Sequence, residues 1–126
     1  MMGKKMAEEK INKPADPNNL TDGEKKHIPI INVPETIVAG EPFDVTVEVG
    51  IIPHVMEEKH HIEWIELYLN DKKIRRAELS LENKKAEATF TVEADKSLAG
   101  KESKLRALEN CNIHGLWEEF MTIKMS

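Results

Sequence analysis

FDVTVEV, residues 43–49, places Phe43, Val45, Val47 and Val49 on one side of an extended chain and Asp44, Thr46 and Glu48 on the other. Successive side chains of a β-strand point to opposite faces, so this strict alternation marks a strand with one face in a core and one in water. The scheme returns in AEATFTVEA, residues 86–94, with Ala86, Ala88, Phe90, Val92 and Ala94 inward. It returns less cleanly in WEEFMTIKM, residues 117–125, where Trp117, Met121, Ile123 and Met125 share a face with Glu119. Four more strands are expected in IPIINV (28–33), HIEWIELYL (61–69), KIRRAELSL (73–81) and SKLRALE (103–109). Turn-forming residues separate them at Ala39-Gly40, Asn70-Asp71, Glu82-Asn83-Lys84 and Ala99-Gly100. About seven short strands in about 100 residues predict an all-β fold, a seven-stranded immunoglobulin-like antiparallel β-sandwich. The disulfide of antibody domains is absent, so the prediction concerns architecture alone.

A chain of 126 residues fits one domain large enough to bury a core without staples. Aromatic residues are 5% of it, so that core must come mainly from Val, Ile, Leu, Ala and Met. The net charge of −5 and the lack of a basic stripe argue against nucleic acid as a partner. No apolar run has signal-peptide or membrane-spanning length, and the one cysteine cannot form an internal disulfide. A cytoplasmic protein with no membrane partner is therefore expected. Residues 1–22 are polar, with Pro14, Pro17 and Asn18-Asn19, and read as an N-terminal arm. A short helix near MAEEKI (6–11) or an extended segment docked on a neighbouring subunit would both suit it. The folded domain is expected to occupy residues 23–126.

The residues able to ligate a metal through nitrogen or sulfur are His27, His54, His60, His61, His114 and Cys111. Each lies in a loop or near a strand boundary, and loops at one end of a sandwich can converge. Taken singly, a lone cysteine is usually small buried filler and a loop histidine usually a solvated side chain. Their joint placement is what points to a metal site. One thiolate with four imidazoles exceeds the four ligands of tetrahedral zinc, and suits a redox metal with a position left open.

CNIHGLW (111–117), the six-residue step from His54 to His60 ahead of HIEWIELYL, and KHIP (26–29) together resemble the superoxide reductase family of neelaredoxin and desulfoferrodoxin. The resemblance covers residues 24–126. It implies a mononuclear non-haem iron with His27, His54, His60 and His114 as four imidazole ligands and Cys111 as the axial thiolate. His61 is then a spare. The implied reaction reduces superoxide by one electron to hydrogen peroxide without releasing dioxygen, with a rubredoxin-like carrier as donor. Backbone N–H groups of Asn112, Ile113 and His114 are expected to tune the sulfur. No cysteine precedes Cys111, so the chain looks like the single-iron class, for which a homotetramer is implied, and not like members with an extra four-cysteine module.

In the family a glutamate-lysine-histidine-x-proline motif supplies a lysine that attracts superoxide. Lys26 matches it, and Lys25 and Lys59 add positive charge nearby. The glutamate is displaced by one residue, because Lys25 stands where the family has it and Glu24 lies one further out. Either Glu24 reaches the iron through an adjusted loop or the site works without a carboxylate, and the second is the expectation. A second departure is Pro53-His54-Val55, where the family usually has proline after the histidine. The alternative from another class is a non-catalytic immunoglobulin-like binding module with a structural zinc. A non-haem oxygenase would want two histidines and a carboxylate, which Cys111 argues against.

Overall fold

The computed structural model describes residues 11–126, so the MAEEKI segment lies outside the described residues except for Ile11. The strands in chain order are β1 (Ile11–Asn12), β2 (Pro29–Asn32), β3 (Pro42–Val49), β4 (Ile62–Leu69), β5 (Lys72–Glu78), β6 (Glu87–Glu93), β7 (Glu102–Cys111) and β8 (Gly115–Lys124). Among the described residues, an α-helix, α1 (Asp22–His27), precedes β2, and a 3₁₀ turn (Lys96–Leu98) precedes β7. They form a β-sandwich of a five-stranded sheet, ordered β1-β8-β7-β4-β5, and a three-stranded sheet, β2-β3-β6.

All seven expected strands are present, and β3 carries the anticipated pattern, with Phe43, Val45, Val47 and Val49 buried. The described residues form eight strands where seven were expected, and the sandwich is not wholly antiparallel, because the arm adds β1 alongside β8 in parallel. Residues leading into β2 are also helical, so the 22/23 boundary falls inside the first turn of α1. That helix starts with a capping box: Thr21 Oγ1 accepts from the Glu24 N–H at 3.1 Å, and Glu24 Oε1 accepts from the Thr21 N–H at 2.9 Å.

The core lies between the sheets and is built from Val45, Val47, Ile62, Ile65, Leu67, Leu105 and Ala107, all fully buried. Each large aliphatic side chain removed from water contributes roughly 1.5–3 kcal/mol. β4 does not alternate strictly. A bulge between Ile62 and Trp64 resets the register, so Ile62 faces the core opposite Cys111 while Ile65 and Leu67 do so further along.

Candidate metal centre

Three chain segments meet at one end of the sandwich. The first is α1, whose last residue, His27, is buried. The second is the loop from Gly50 to His61. Gly50 has φ +95°, and a Cβ there would meet the carbonyl oxygens of Ile52 and Lys26, so only glycine lets this loop turn against α1. The Ile51 N–H donates to the Lys25 carbonyl at 2.6 Å and holds the two together. The third is the β7–β8 hairpin. Cys111 pairs with Gly115 across a loop of Asn112, Ile113 and His114, and Gly115 closes the turn at φ +82°, a left-handed backbone that glycine takes without strain. The C-x-x-H spacing is thus the span of a tight turn.

The four imidazoles form a ring. Centroids of His27 and His54 are 4.8 Å apart, His54 and His60 4.6 Å, His60 and His114 5.1 Å, and His114 and His27 4.8 Å. The diagonal from His27 to His60 is longer, at 6.3 Å. Four similar edges with a longer diagonal describe a square. Cys111 Sγ lies 3.6 Å from His54 Nε2 and 3.7 Å from His114 Nδ1, nearly equidistant from the other two corners. Ligand atoms of His27, His60, Cys111 and His114 all lie within 4.8 Å of one another. His54 joins them through Nε2, 3.2 Å from His27 Nε2.

The far nitrogens fix the tautomers. His27 Nδ1 is 2.7 Å from the Gly23 carbonyl and His54 Nδ1 is 2.7 Å from the Val55 carbonyl. A carbonyl oxygen only accepts, so each Nδ1 carries the proton and each Nε2 presents a lone pair inward. Burial, with neighbouring His114, His60 and Lys26, lowers the His27 pKa; burial and the other three histidines take His54 down to about 4. Burial also lowers His60. At neutral pH the facing Nε2 atoms of His27 and His54 are therefore two bare lone pairs in contact. His60 Nε2 is buried with no hydrogen-bond partner among the described residues. A cation between them would be shared by all of these donors at once, and a thiolate with imidazoles suits a redox-active first-row metal such as iron.

Burial raises the Cys111 pKa, while the His114 and Ile113 backbone N–H groups pull it down. The Asn112 N–H donates instead to the His61 carbonyl at 3.1 Å. His61 itself stays outside the cluster, its Nδ1 donating to the Glu57 carbonyl at 2.9 Å. Lys26 is exposed, and its charge is felt at both His27 and His60. Glu24 is occupied elsewhere: besides capping α1, its Oε2 accepts from the Ala15 N–H at 3.3 Å.

Residues 19–120 match the family model described as desulfoferrodoxin. The chain belongs to the desulfoferrodoxin family. A Methanocaldococcus jannaschii relative is 42% identical over 98 residues, 78% of this chain and 82% of that protein. The superoxide reductase of Pyrococcus horikoshii is 37% identical over 101 residues, covering 75% of this chain and 84% of its own. Among solved structures, a superoxide reductase (neelaredoxin) from Ignicoccus hospitalis superposes with a TM-score of 0.68 at 36% identity, covering 79% of this chain and 81% of its own.

This desulfoferrodoxin-family site has supporting residues that motif spacing does not reveal. Asn112 Oδ1 accepts from the His61 N–H at 2.9 Å and its Nδ2 donates to the Lys59 carbonyl at 3.1 Å, tying the hairpin to the His60 loop. Trp117 stacks on His27, with centroids 4.9 Å apart and planes 19° apart. Glu109 is fully buried two residues before Cys111, without a hydrogen-bond partner among the described residues. Its inward parity with Ala107 and Cys111 is the one sign in the sequence that marks it.

Proposed function

We propose that this protein is a superoxide reductase, reducing superoxide to hydrogen peroxide at an iron held by His27, His54, His60, His114 and Cys111. The observation that carries the reading is the square of imidazoles, with Nε2 of His27 and Nε2 of His54 3.2 Å apart and the Cys111 sulfur beside it. The chemistry iron supplies when bound is one electron, which with two protons converts superoxide to hydrogen peroxide and releases no dioxygen. A four-coordinate zinc would leave one of the five converging donors over, which disfavours a purely structural site.

Each residue has a definable part. An imidazole donates to a metal through a neutral nitrogen, and the Cys111 thiolate brings the single negative charge. Two backbone N–H groups on the sulfur moderate its donation. Lys26 offers an ammonium beside the rim of the site, against a chain of net charge −5, and so steers an anionic substrate. The capping role of Glu24 supports a site that works without that carboxylate. For the donor we propose a rubredoxin-like carrier: Ile51 and Ile113, 56% and 57% exposed, give the rim an apolar surface with lysines beside it. A homotetramer in the cytoplasm completes the proposal; no helix among the described residues is long and apolar enough to cross a membrane.

Rapid mixing of the ferrous protein with superoxide tests the reading. One hydrogen peroxide per superoxide consumed, with no dioxygen, supports it. Half that yield with dioxygen released is dismutation and refutes it. The oxidised protein should show a thiolate-to-iron absorption band that Cys111→Ser removes.

A further inference from the structure

Resting on that reading, we infer that Asn12, in the N-terminal arm, is a positioning residue for the metal-bearing hairpin. Asn12 lies outside the family match, which starts at residue 19. Its side-chain amide nevertheless reaches the site. Asn12 Nδ2 donates to the His114 carbonyl at 3.0 Å and to the Leu116 carbonyl at 3.0 Å. These two carbonyls flank Gly115, whose left-handed backbone closes the loop between Cys111 and His114. Parallel pairing of Ile11 with Leu116 and of Asn12 with Trp117 holds the amide in place.

The geometry gives the amide leverage on one ligand. A three-residue hairpin loop has few torsions to adjust, and the peptide unit after His114 sets where its imidazole points. An amide with two N–H donors suits two carbonyls, and tying both fixes that peptide from its outer side. Asn112 performs the corresponding task from the opposite side, through the His61 N–H and the Lys59 carbonyl. His114 is the exposed member of the cluster, so core packing alone does not hold it. A Cβ at Gly115 would sit 3.6 Å from Asn12 Nδ2, an ordinary contact, so the side chain passes close over the turn.

Asn12→Ala removes the amide, and Asn12→Asp keeps its shape while replacing both donors with a charge that repels carbonyls. Residues that orient metal ligands typically hold about 10–100-fold of metal affinity. Both variants should therefore release iron to a chelator about tenfold faster and shift the thiolate-to-iron band. They should also narrow the gap in melting temperature between iron-loaded and iron-free protein. Lys13→Ala disturbs the next residue of the arm, an exposed lysine 4.0 Å from Glu118, and should change none of these. An arm that merely adds stability would lower both melting temperatures together and leave the band and the release rate alone. That result, or equal effects from Lys13→Ala, overturns the inference. A parent protein with iron but no Cys111-dependent band would overturn the underlying reading instead, so the two failures are distinguishable.

Discussion

Glu66 and Glu109 are buried carboxyl groups in adjacent strands of one sheet, and they ionise in opposite ways. Glu66, on the outer face of β4, loses solvation, which raises its pKa. Hydrogen bonds from Tyr68 and Arg76 and the charges of Lys73 and Arg76 outweigh that and hold it below the usual carboxylate range. The Tyr68 hydroxyl donates to Glu66 Oε1 at 2.8 Å, and Arg76 also lies over the Trp64 ring. Glu109, on the inner face of β7, has no such partner among the described residues, and burial lifts it to about 9. The outer face is a closed polar network. Among the described residues the inner end leaves the Glu109 carboxyl and His60 Nε2 without hydrogen-bond partners, an arrangement costly in a scaffold but useful where a metal is to be held.

The most severe way to break this contrast is to strip the metal. Removing iron with a chelator should cost the protein about 4 kcal/mol, or roughly 15 °C in melting temperature, for a site held near a thousandfold above its dissociation constant. Calorimetry of loaded and stripped protein measures it; equal melting temperatures would mean the inner end needs no cation. Next comes Glu109→Gln. In the fold Glu109 keeps its proton from pH 4.5 up to about 9, whereas the unfolded chain loses it above 4.5. Stability therefore falls as pH rises through that window. Urea titrations should show the parent losing about 3 kcal/mol relative to the variant between pH 5 and pH 7.

On the outer face, Arg76→Ala removes one of Glu66's donors but leaves Tyr68 and Lys73, so about 1–2 kcal/mol should be lost. The thiolate-to-iron band should not move, because the described partners of Arg76, Glu66 and Glu78, include none of the five candidate ligands; a shifted band would couple the two faces. Lys26→Ala should have the smallest effect, a several-fold slower second-order reaction with superoxide and a weaker dependence on salt. Stopped-flow kinetics at two ionic strengths would read both.

Strict alternation made β3 and β6 legible, and the seven-strand architecture with them. β4 resists such reading because its bulge shifts the inward parity between Ile62 and Ile65. Two residues cannot display a period, so β1 leaves no pattern to find. α1 does have a signature, Thr21-x-x-Glu24 followed by Lys25, Lys26 and His27, but it lasts barely more than one turn. The same signature explains the displaced glutamate, whose side chain the helix start occupies. The ligand types can be identified from the sequence, yet their convergence depends on Gly50 and Gly115 turning two loops toward one point. Asn12 is the least legible of all, because its amide donates to carbonyls more than 100 residues away in sequence.

His27 and His114 stand 87 residues apart in the chain, yet their ring nitrogens lie 3.1 Å from each other. Bringing such distant segments together requires closing a long loop, so the square of imidazoles forms only after the two sheets have docked. Iron should then bind after the rate-limiting step of folding. Contacts absent from the transition state slow unfolding and leave refolding unchanged. For this protein the metal would act as a lock fitted to a finished frame: it lengthens the lifetime of the folded chain without hastening its formation.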